Sequence, residues 1–438
     1  MTTWWAARAV IGGAVRDSVV IESADGNLTR VEPDAEMPWH ARVLHGVVLP
    51  GAVNAHSHAF HRVLRGRTHH GRDSFWAWRD QMYAAAVVLD PDSYRALARA
   101  VFAEMLLAGY TAVGEFHYLH HAPGGAAYDD PNAMSTALAA AAEDAGIRLV
   151  LLDTLYLESA PGQAPDETQV RFSDGSAERW AERTATLVSS GLVTHGLAVH
   201  SVRAVPPDAI AVAAAVARAR GMALHAHVSE QPRENDESQA AYGRTPVEIL
   251  RDAGALGGDF TAVHATHLTG ADIASLGGSH VCVCATTERE LADGIGPIPA
   301  LRDAGAALCL GSDSHAVIDP FEEARAIEMD ERLGSRRRGT FTGEELLAVM
   351  TTGGSAALGL PDAGLVMGGP ADFIEVGLTS VRLAGHDEAG LVDAVVYAAA
   401  SGDVRTVVVD GVERVRGGAH LSLDVAAELD RSIRAVTS

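Results

Sequence analysis

The sequence predicts an α/β fold: a (β/α)8 TIM barrel with a small β-sandwich domain built from both ends of the chain. Two observations predict it. Apolar, strand-like runs alternate with helical patterns through the middle of the chain, and eight such runs within roughly 300 residues suit a barrel of parallel strands. Both ends instead carry short alternating runs separated by turn sequences, which is typical of small β domains.

The barrel strands are predicted from apolar runs of strand length. The eight runs cover residues 48–56, 111–117, 147–154, 194–200, 223–228, 261–266, 280–285 and 306–311. Helical patterns lie between most of them and are clearest over residues 93–108, 132–145, 177–189 and 207–219. A capping box, Thr342-x-x-Glu345, predicts the start of a late helix. We therefore assign residues 48–361 to a barrel domain.

The two ends of the chain, residues 1–47 and 362–438, are predicted to form the composite β-sandwich domain. Their alternating runs are separated by turns such as Asp25-Gly26 and Asp410-Gly411. Neither end alone has enough strands for a stable sheet, so the two ends together are expected to supply one small β domain beside the barrel.

The composition excludes some classes of function. The formal net charge is −23, and an acidic surface repels nucleic-acid phosphates and anionic lipids, so we expect no nucleic-acid partner and no membrane docking. No stretch reaches the ~18 consecutive apolar residues of a membrane span, and no secretory leader is recognisable, so we expect a cytoplasmic protein. The three cysteines lack C-x-x-C spacing and are expected to be buried small hydrophobes.

Candidate metal ligands stand at the ends of the predicted barrel strands. His56 and His58 close the first strand, and residues two apart in a strand point to the same side, so both imidazoles can bind one metal. The fifth, sixth and eighth strands are followed by further candidates: His227, Glu230, His264 and Asp313. The carboxyl ends of barrel strands converge on one mouth, where active sites lie, so the sequence predicts a metal site there.

These residue types suit a metal-dependent hydrolase. Neutral imidazole and carboxylate are zinc ligands, and a catalytic zinc keeps one position for a water whose pKa falls towards ~7. Glu230, three residues after His227, is close enough to reach that water and move protons. Asp313 either ligates the metal or takes a proton, and His264 either holds the developing negative charge or orients the nucleophile. We infer an aminohydrolase that releases ammonia from a C–N bond.

The motifs around these residues resemble the amidohydrolase superfamily and, within it, the formimidoylglutamate deiminase family. The resemblance covers almost the whole chain, and the superfamily motifs are strongly specific for fold and metal. The narrower family is indicated by the Trp-Arg, Phe-His-Tyr and His-Ser-x-Arg segments. The motifs are Leu49-Pro50-Gly51, His56-Ser57-His58-Ala59-Phe60, Phe75-Trp76-x-Trp78-Arg79-x-x-Met82-Tyr83, Gly114-Glu115-Phe116-His117-Tyr118-x-His120-His121, His200-Ser201-x-Arg203-Ala204-Val205, His225-Ala226-His227-x-Ser229-Glu230-Gln231, His264-Ala265-Thr266-His267-Leu268, Thr286-Thr287-Glu288-Arg289-x-Leu291-x-Asp293-Gly294 and Gly311-Ser312-Asp313-Ser314-His315.

The resemblance implies a barrel of the amidohydrolase type with a single zinc ion and a linear amidine as substrate. By that resemblance, Glu230 shuttles protons and His264 contacts the water or the tetrahedral intermediate. The implied reaction is the hydrolytic deimination of N-formimino-L-glutamate to N-formyl-L-glutamate and ammonia, a step of histidine degradation, carried out by a homodimer. The implied zinc ligands are His56, His58, His227 and Asp313.

Further positions match residues that bind the glutamate part of the family's substrate: Arg79, Tyr118, His200 and Arg203. Two arginines near strand ends suit two carboxylates, because a guanidinium binds a carboxylate through two hydrogen bonds; ordinary surface salt bridges are the alternative. One departure concerns His61, where some family members carry Gln. A residue three beyond the metal-binding His58 is placed to face the substrate, and imidazole replaces the hydrogen bonds of an amide only in part.

Two other functions compete with this prediction. Another aminohydrolase of the superfamily would act on a nucleobase-like ring such as guanine or cytosine, which calls for aromatic stacking and amide hydrogen bonds rather than two arginines. A barrel without catalysis would serve as a binding scaffold. The metal-binding residues occur together with Glu230, and a scaffold has no physical need for that carboxylate beside the ligands.

Overall fold

The computed structural model describes residues 1–68 and 75–437, and its description of residues 75–77, 79 and 80 is limited to the backbone. The described strands are β1 (Thr2–Ile11), β2 (Ala14–Ala24), β3 (Asn27–Glu32), β4 (Arg42–Pro50), β5 (Ala52–Ser57), β6 (Tyr110–His117), β7 (Arg148–Leu155), β8 (Val193–Val199), β9 (Leu224–Val228), β10 (Phe260–His264), β11 (His280–Val283), β12 (Ala307–Leu310), β13 (Phe373–Val376), β14 (Val404–Val409), β15 (Val412–Arg416) and β16 (Ala419–His420). The described α-helices are α1 (Phe75–Val88), α2 (Pro91–Ala108), α3 (Ala133–Ala145), α4 (Ala177–Thr184), α5 (Pro207–Arg220), α6 (Pro232–Tyr242), α7 (Pro246–Asp252), α8 (Gly270–Ser275), α9 (Ala285–Glu290), α10 (Ile298–Asp303), α11 (Pro320–Ser335), α12 (Gly343–Ala348), α13 (Gly354–Ala357), α14 (Leu391–Ala398) and α15 (Val425–Thr437).

Strands β5 to β12 form the barrel sheet, in which each strand pairs in parallel with the next along the chain. Helices cover the sheet, so its strands are buried on both faces; every residue of β6, for example, is buried. This explains why the barrel strands are continuous apolar runs. The predicted barrel is confirmed, and so is the predicted burial of the cysteines, Cys282, Cys284 and Cys309.

The first predicted strand, over residues 48–56, is wrong in its extent because that run contains parts of two strands. β4 ends at Pro50 and belongs to the other sheet, whereas β5 begins at Ala52 and belongs to the barrel. Gly51 between them lies against the next barrel strand, since a Cβ on Gly51 would lie 2.1 Å from Thr111 Oγ1. The chain therefore passes between the sheets at a position without room for a side chain. The division into domains at residues 48 and 361 stays a prediction.

Local sequence explains where the helices begin and end. Helix α2 starts after Asp90, whose side chain accepts a hydrogen bond from Ser93 N at 2.8 Å, and it ends at Gly109 in the left-handed conformation. The predicted capping box of Thr342 and Glu345 is confirmed at the start of α12. Within the described part of the chain, no helix combines the length and the apolar character needed to cross a lipid bilayer.

Both chain ends form the second sheet, with the strand order β16-β15-β14-β13-β4-β1-β2-β3. The strands from the two ends meet where β4 pairs with β13 in antiparallel orientation, with Phe373 opposite Pro50. Its core includes Trp4 and Phe373, whose rings pack edge to face with 5.1 Å between their centroids. The second sheet therefore depends on both ends of the chain, as predicted.

The barrel closes between its first and last strands, β5 and β12, where the described residues form no regular ladder. An isolated bridge joins them: Asp313 N donates to His56 O at 3.0 Å, and His58 N donates to Asp313 O at 3.2 Å. Gly311 allows this close approach, because a Cβ on it would lie 2.8 Å from His56 O. We call this contact, between β5, β12 and the residues that directly follow them, the barrel seam.

Candidate metal centre and active site

Four side chains meet at the mouth of the barrel: His56 and His58 at the end of β5, His227 in β9, and Asp313 after β12. His56 Nε2 lies 3.1 Å from His227 Nε2 and 3.2 Å from Asp313 Oδ1. His58 Nε2 lies 3.4 Å from each of the same two atoms. All four side chains are buried. The structure therefore brings together the residues that the sequence predicts as metal ligands.

Main-chain carbonyls orient two of these imidazoles. His58 Nδ1 donates to Phe116 O and His227 Nδ1 donates to His200 O, each at 2.9 Å. Because the proton is on Nδ1, the Nε2 atom of each ring carries a lone pair that faces the cluster. Burial lowers the pKa of His58 and His227 well below the ordinary value, which keeps both rings neutral.

The cluster fits a divalent metal. Nitrogen and oxygen ligands bind zinc at about 2.0–2.1 Å, and the ligand atoms of a tetrahedral site are then about 3.3–3.4 Å apart. The separations between the Nε2 and Oδ1 atoms, from 3.1 to 3.4 Å, agree with that spacing. His264 also belongs to the cluster, since its ligand atom and those of His56, His227 and Asp313 lie within 4.8 Å of one another.

A histidine and two carboxyl groups lie beside the candidate metal ligands. His264 Nε2 lies 3.9 Å from Glu230 Oε1, and His264 Nδ1 lies 3.4 Å from Glu288 Oε1. Burial by itself lowers the pKa of His264, but the carboxylates of Glu230 and Glu288 raise it to about 10. Burial raises the pKa of Glu230. A carboxyl group with a raised pKa beside a candidate metal site suits proton transfer.

Non-glycine residues with positive φ lie at the ends of β9, β10 and β12. A left-handed backbone at such a residue costs of order 1–3 kcal/mol and persists where the surrounding fold imposes it. Three strand ends thus carry conformational strain at the place where their side chains turn towards the cluster. The residues are Ser229 (φ 51°), His264 (69°), Ala265 (52°), Asp313 (39°) and His315 (59°).

An open pocket extends from the four clustered side chains, and the space inside it, including the part open to solvent, is about 580 Å³. Its polar lining combines Glu230 and His264 with the half-buried guanidinium of Arg203. A small molecule in this pocket would therefore contact the metal ligands, a carboxyl group and a cation. The aromatic lining consists of Trp78, Tyr83, Tyr118, Tyr156 and Phe172.

The predicted substrate-binding residues lie in this pocket where their side chains are described. His61 Nε2 lies 2.9 Å from Tyr118 OH, so these two residues form one polar group in the wall. His200 and Arg203 follow β8 and also line the pocket. Arg79 lies in α1, but its side chain is outside the described part of the structure. The role of each residue in binding a substrate stays a prediction.

Sequence reasoning missed several residues of the site. Tyr156 directly follows β7, so the rule that found the histidines, a position at a strand end, applies to it as well. Phe172 lies in a short 3-10 helix, Gln169–Phe172, within a long loop, and no sequence pattern points to it. Glu115 is fully buried in β6 and accepts a hydrogen bond from Ser57, which lies between His56 and His58. The sequence signal for Glu115 was an ionisable residue within an otherwise apolar strand.

The chain belongs to the amidohydrolase family, whose model matches residues 47–414, and it is a hydrolase of that superfamily. Among curated proteins it is 37% identical over 437 residues to the formimidoylglutamate deiminase of Pseudomonas aeruginosa, covering 96% of each chain. It is also 29% identical over 436 residues to the 8-oxoguanine deaminase of the same organism, covering 96% of this chain and 93% of that protein.

A solved structure of the same superfamily has the same overall architecture. The crystal structure of an amidohydrolase from Brucella melitensis superposes with a TM-score of 0.93 and 32% sequence identity, and the match covers all of both chains. The barrel and the second sheet are therefore a shared architecture, and the predicted fold class is confirmed by a second, independent observation.

Proposed function

We propose that this protein hydrolyses N-formimino-L-glutamate to N-formyl-L-glutamate and ammonia. The observation that carries the proposal is a single pocket in which a metal-binding cluster, the Glu230 carboxyl group and the Arg203 guanidinium lie together. A linear amidine with a carboxylate at its far end matches this arrangement. Its amidine carbon would react at the metal cluster beside Glu230, and its carboxylate would pair with Arg203. The 37% identity to a formimidoylglutamate deiminase supports the same substrate.

The proposed metal is one divalent ion, zinc in the first instance, held by His56, His58, His227 and Asp313. The converging Nε2 atoms and the carboxylate oxygen support this ligand set. When bound, the metal lowers the pKa of a water towards ~7 and so supplies a nucleophile at neutral pH. The main-chain carbonyls that accept from His58 and His227 keep the ligating nitrogens unprotonated.

Glu230 and Asp313 move the protons in the proposed mechanism. Glu230 takes a proton from the attacking water and delivers it to the imino nitrogen of the substrate. His264, 3.9 Å from Glu230, donates a hydrogen bond to the oxygen on which charge develops. Asp313 accepts the second proton of the former water and passes it to the nitrogen as the C–N bond breaks. The products are N-formyl-L-glutamate, whose formyl oxygen comes from the water, and free ammonia, so atoms and protons balance.

Positively charged and hydroxyl side chains are proposed to bind the glutamate part. Arg203 pairs with one carboxylate, and Arg79 is proposed for the other. Tyr118, His61 and His200 add hydrogen bonds from the pocket wall. Because the whole chain carries a formal charge of −23, these local cations have to offset a field that opposes an anionic substrate. Binding at the carboxylates holds the formimino carbon at the metal cluster.

The test is ammonia release by zinc-loaded protein from N-formimino-L-glutamate, with guanine, cytosine and 8-oxoguanine as comparison substrates. We expect release from the formimino compound alone. Glu230→Gln should lower kcat by about 10²–10⁴-fold while the protein still binds zinc, because it removes a proton carrier and no ligand. Glu237→Gln, in the nearby helix α6, is the matched control and should leave kcat unchanged. Turnover of a ring compound without turnover of the formimino compound would contradict the proposal.

A second candidate is a deaminase that acts on a nucleobase-like ring. The aromatic lining of the pocket favours it, because rings such as Tyr118, Tyr156 and Phe172 can stack on a planar substrate. The 29% identity to an 8-oxoguanine deaminase points the same way. Arg203→Met distinguishes the two, since it should impair turnover of a dicarboxylate far more than turnover of an uncharged ring.

The family resemblance alone supports two further proposals. We propose that the protein is a homodimer and that it acts in the cytoplasm, in histidine degradation. Light scattering of the purified protein tests the first, with an expected mass of twice the 45.8 kDa chain. A mass of one chain at working concentration would exclude the dimer.

A further inference from the structure

A chain of buried hydrogen bonds crosses the barrel seam behind the metal ligands. Asn54 Nδ2 donates to Ser312 Oγ at 2.6 Å, and Ser312 N donates to Asn54 Oδ1 at 3.0 Å. Ser312 Oγ lies 2.9 Å from His315 Nδ1, and His315 Nε2 lies 3.2 Å from Ser57 Oγ. Ser57 Oγ then donates to Glu115 Oε2 at 2.6 Å. We call these residues the seam network; all of them are buried.

With Ser57 as the donor to Glu115, the side-chain donors of the seam network run in one direction, from Asn54 Nδ2 to Glu115, while Ser312 N donates back to Asn54. Since Ser57 gives its proton to Glu115, its oxygen must accept from His315 Nε2–H, and the other ring nitrogen of His315 accepts from Ser312. Glu115 completes the chain at its end, where its Oε2 accepts from Ser57, and burial raises the pKa of this carboxyl group to about 8.

Glu115 also holds the main chain beside the metal ligands. Its Oε1 accepts from Ala59 N at 2.7 Å, while its Oε2 accepts from Ser57. Ser57 and Ala59 are the residues on either side of His58, so the carboxylate fixes the position of that ligand from both directions. No charged partner is recorded for Glu115 among the described residues, and it lies outside the substrate pocket. Its burial is not explained by the proposed chemistry.

The position of the seam network matters because metal ligands come from both sides of the seam. His56 and His58 end the first barrel strand, whereas Asp313 follows the last one. Other neighbouring barrel strands are held together by a ladder of backbone hydrogen bonds, but here the described backbone offers an isolated bridge. The two backbone hydrogen bonds of this bridge are therefore supplemented by side chains in setting the spacing across which a metal is bound.

We propose that Glu115 is a positioning residue of the metal centre, which acts through Ser57 and His315 to close the barrel seam and to fix the distance between His56, His58 and Asp313. This inference rests on the proposed metal site and is independent of the proposed substrate. Groups that orient metal ligands without touching the metal typically change metal affinity by about 10–100-fold when they are removed.

The chain contains a matched control for this network. Glu323 is a second fully buried glutamate, and it accepts one hydroxyl and one backbone N–H, both from Thr286. Glu115 accepts from Ser57 Oγ and Ala59 N and also, at 3.5 Å, from Tyr94 OH. Glu323 joins α11 to α9 and takes no part in the barrel seam. Ser57→Ala and Thr286→Val each remove one hydroxyl donor to a buried carboxylate, so they should cost similar stability. They differ in whether the lost bond supports the metal ligands.

The experiment measures the zinc dissociation constant by competition with a chromophoric chelator, together with the visible spectrum of the cobalt(II)-substituted protein. We expect Ser57→Ala to weaken zinc binding by about 10-fold or more and to shift the cobalt bands. Thr286→Val should stay within about twofold of the wild-type constant and keep the wild-type spectrum. Glu115→Gln and Glu323→Gln form a second pair with the same expected contrast, used if Ser57→Ala does not fold.

Two results would overturn the positioning role alone. One is wild-type affinity and spectrum in Ser57→Ala and Glu115→Gln; the other is an equal loss of affinity in the Glu323 and Thr286 controls. A wild-type protein that binds no zinc would overturn the proposed metal site and this inference together. Failure to release ammonia from N-formimino-L-glutamate, with zinc affinity lowered as expected, would count against the substrate and leave the positioning role in place.

Discussion

In the proposed function, different residues of the pocket carry out the reaction and bind the substrate. The potential ligand atoms of the clustered histidines and of Asp313 lie close together, and Arg203 supplies a cation elsewhere in the same pocket. Arg203 Nη1 donates to Ser159 O at 3.4 Å, a long and weak bond, and no carboxylate is recorded in hydrogen-bond contact with it among the described residues. Its guanidinium lines the pocket beside Tyr156, where an anion that enters the pocket can reach it.

Replacing Arg203 should therefore act mainly on substrate binding. Arg203→Met keeps the length of the side chain but removes its charge, and a hydrogen bond to a charged group is worth about 1.5–3 kcal/mol. We expect KM for N-formimino-L-glutamate to rise by about 10–100-fold, with a smaller change in kcat. Steady-state kinetics measures both constants. Arg233→Met, an exposed position at the start of α6, serves as the control and should change neither. An unchanged KM in Arg203→Met would remove this residue from the binding site.

At the scale of secondary-structure elements, a buried arginine ties together segments that line the pocket. Arg171 donates to Ala86 O and Leu89 O, at and just beyond the end of α1, and to His121 O in the loop after β6. α1 carries Trp78 and Tyr83, and the 3-10 helix that contains Arg171 carries Phe172. The aromatic wall is therefore assembled from three segments by one side chain that caps a helix end.

Arg171→Met should loosen this wall. It leaves buried carbonyls without donors, at about 1–3 kcal/mol each, so we expect the free energy of unfolding to fall by several kcal/mol. Because the pocket wall is less ordered, KM should rise as well. Denaturant unfolding and steady-state kinetics measure the two effects. Arg179→Met, exposed in α4, should be neutral in both. Full stability in Arg171→Met would show that the helix end is held by other contacts.

A buried ion pair links a barrel strand to the helix outside it. Asp153 in β7 accepts two hydrogen bonds from Arg183 in α4, each at 2.8 Å, and one from Trp180 Nε1 at 3.1 Å. Burial by itself raises the pKa of Asp153, but the Arg183 guanidinium more than reverses this and holds it well below the ordinary value. The pair is a stabilising contact as long as Asp153 is ionised.

The stability that this pair contributes should depend on pH in a defined direction. Because the folded pKa of Asp153 is depressed, the contribution is complete above the unfolded pKa of about 3.9 and is lost as the pH falls through the lower folded value. We expect Asp153→Asn to lose about 3–5 kcal/mol at pH 7, and the gap to the wild type to narrow below about pH 4. Unfolding free energies measured from pH 7 to pH 3 test this. A gap that stays constant with pH would be inconsistent with an ionised Asp153.

For the whole molecule, the proposed metal couples binding to folding. A ligand that binds the folded state alone stabilises it by about 2.7 kcal/mol when its concentration is 100 times its dissociation constant. We expect that gain on adding zinc to metal-free protein, and its loss on chelation, both followed by denaturant unfolding. Asp313→Ala should show little or none of the gain, because a ligand is missing. Equal stabilisation of Asp313→Ala and the wild type would place the zinc elsewhere.

The sequence was sufficient for those features that depend on local pattern and on barrel geometry. Strand ends converge on one mouth in any such barrel, so His56, His227 and Asp313 could be placed together before their contacts were known. Contacts between distant segments left no local pattern: Arg171 donates to carbonyls at the end of α1 and in the loop after β6, and Glu115 accepts from Ser57 in the neighbouring strand. The division at Gly51 was missed for a different reason: both strands around it are equally apolar, so the run shows no break.

The barrel seam has a consequence for how the protein is made. Ser57 and His315 are 258 residues apart in the sequence. During translation, His56 and His58 are therefore made long before Asp313, and most of the barrel is synthesised between them. A chain interrupted before Asp313 would lack one of the four proposed ligands and could not hold a metal ion with all of them. β4, which directly precedes β5, must also wait for β13 from the other end. With the proposed ligands, a metal can be held by the full set only after most of the barrel has been synthesised.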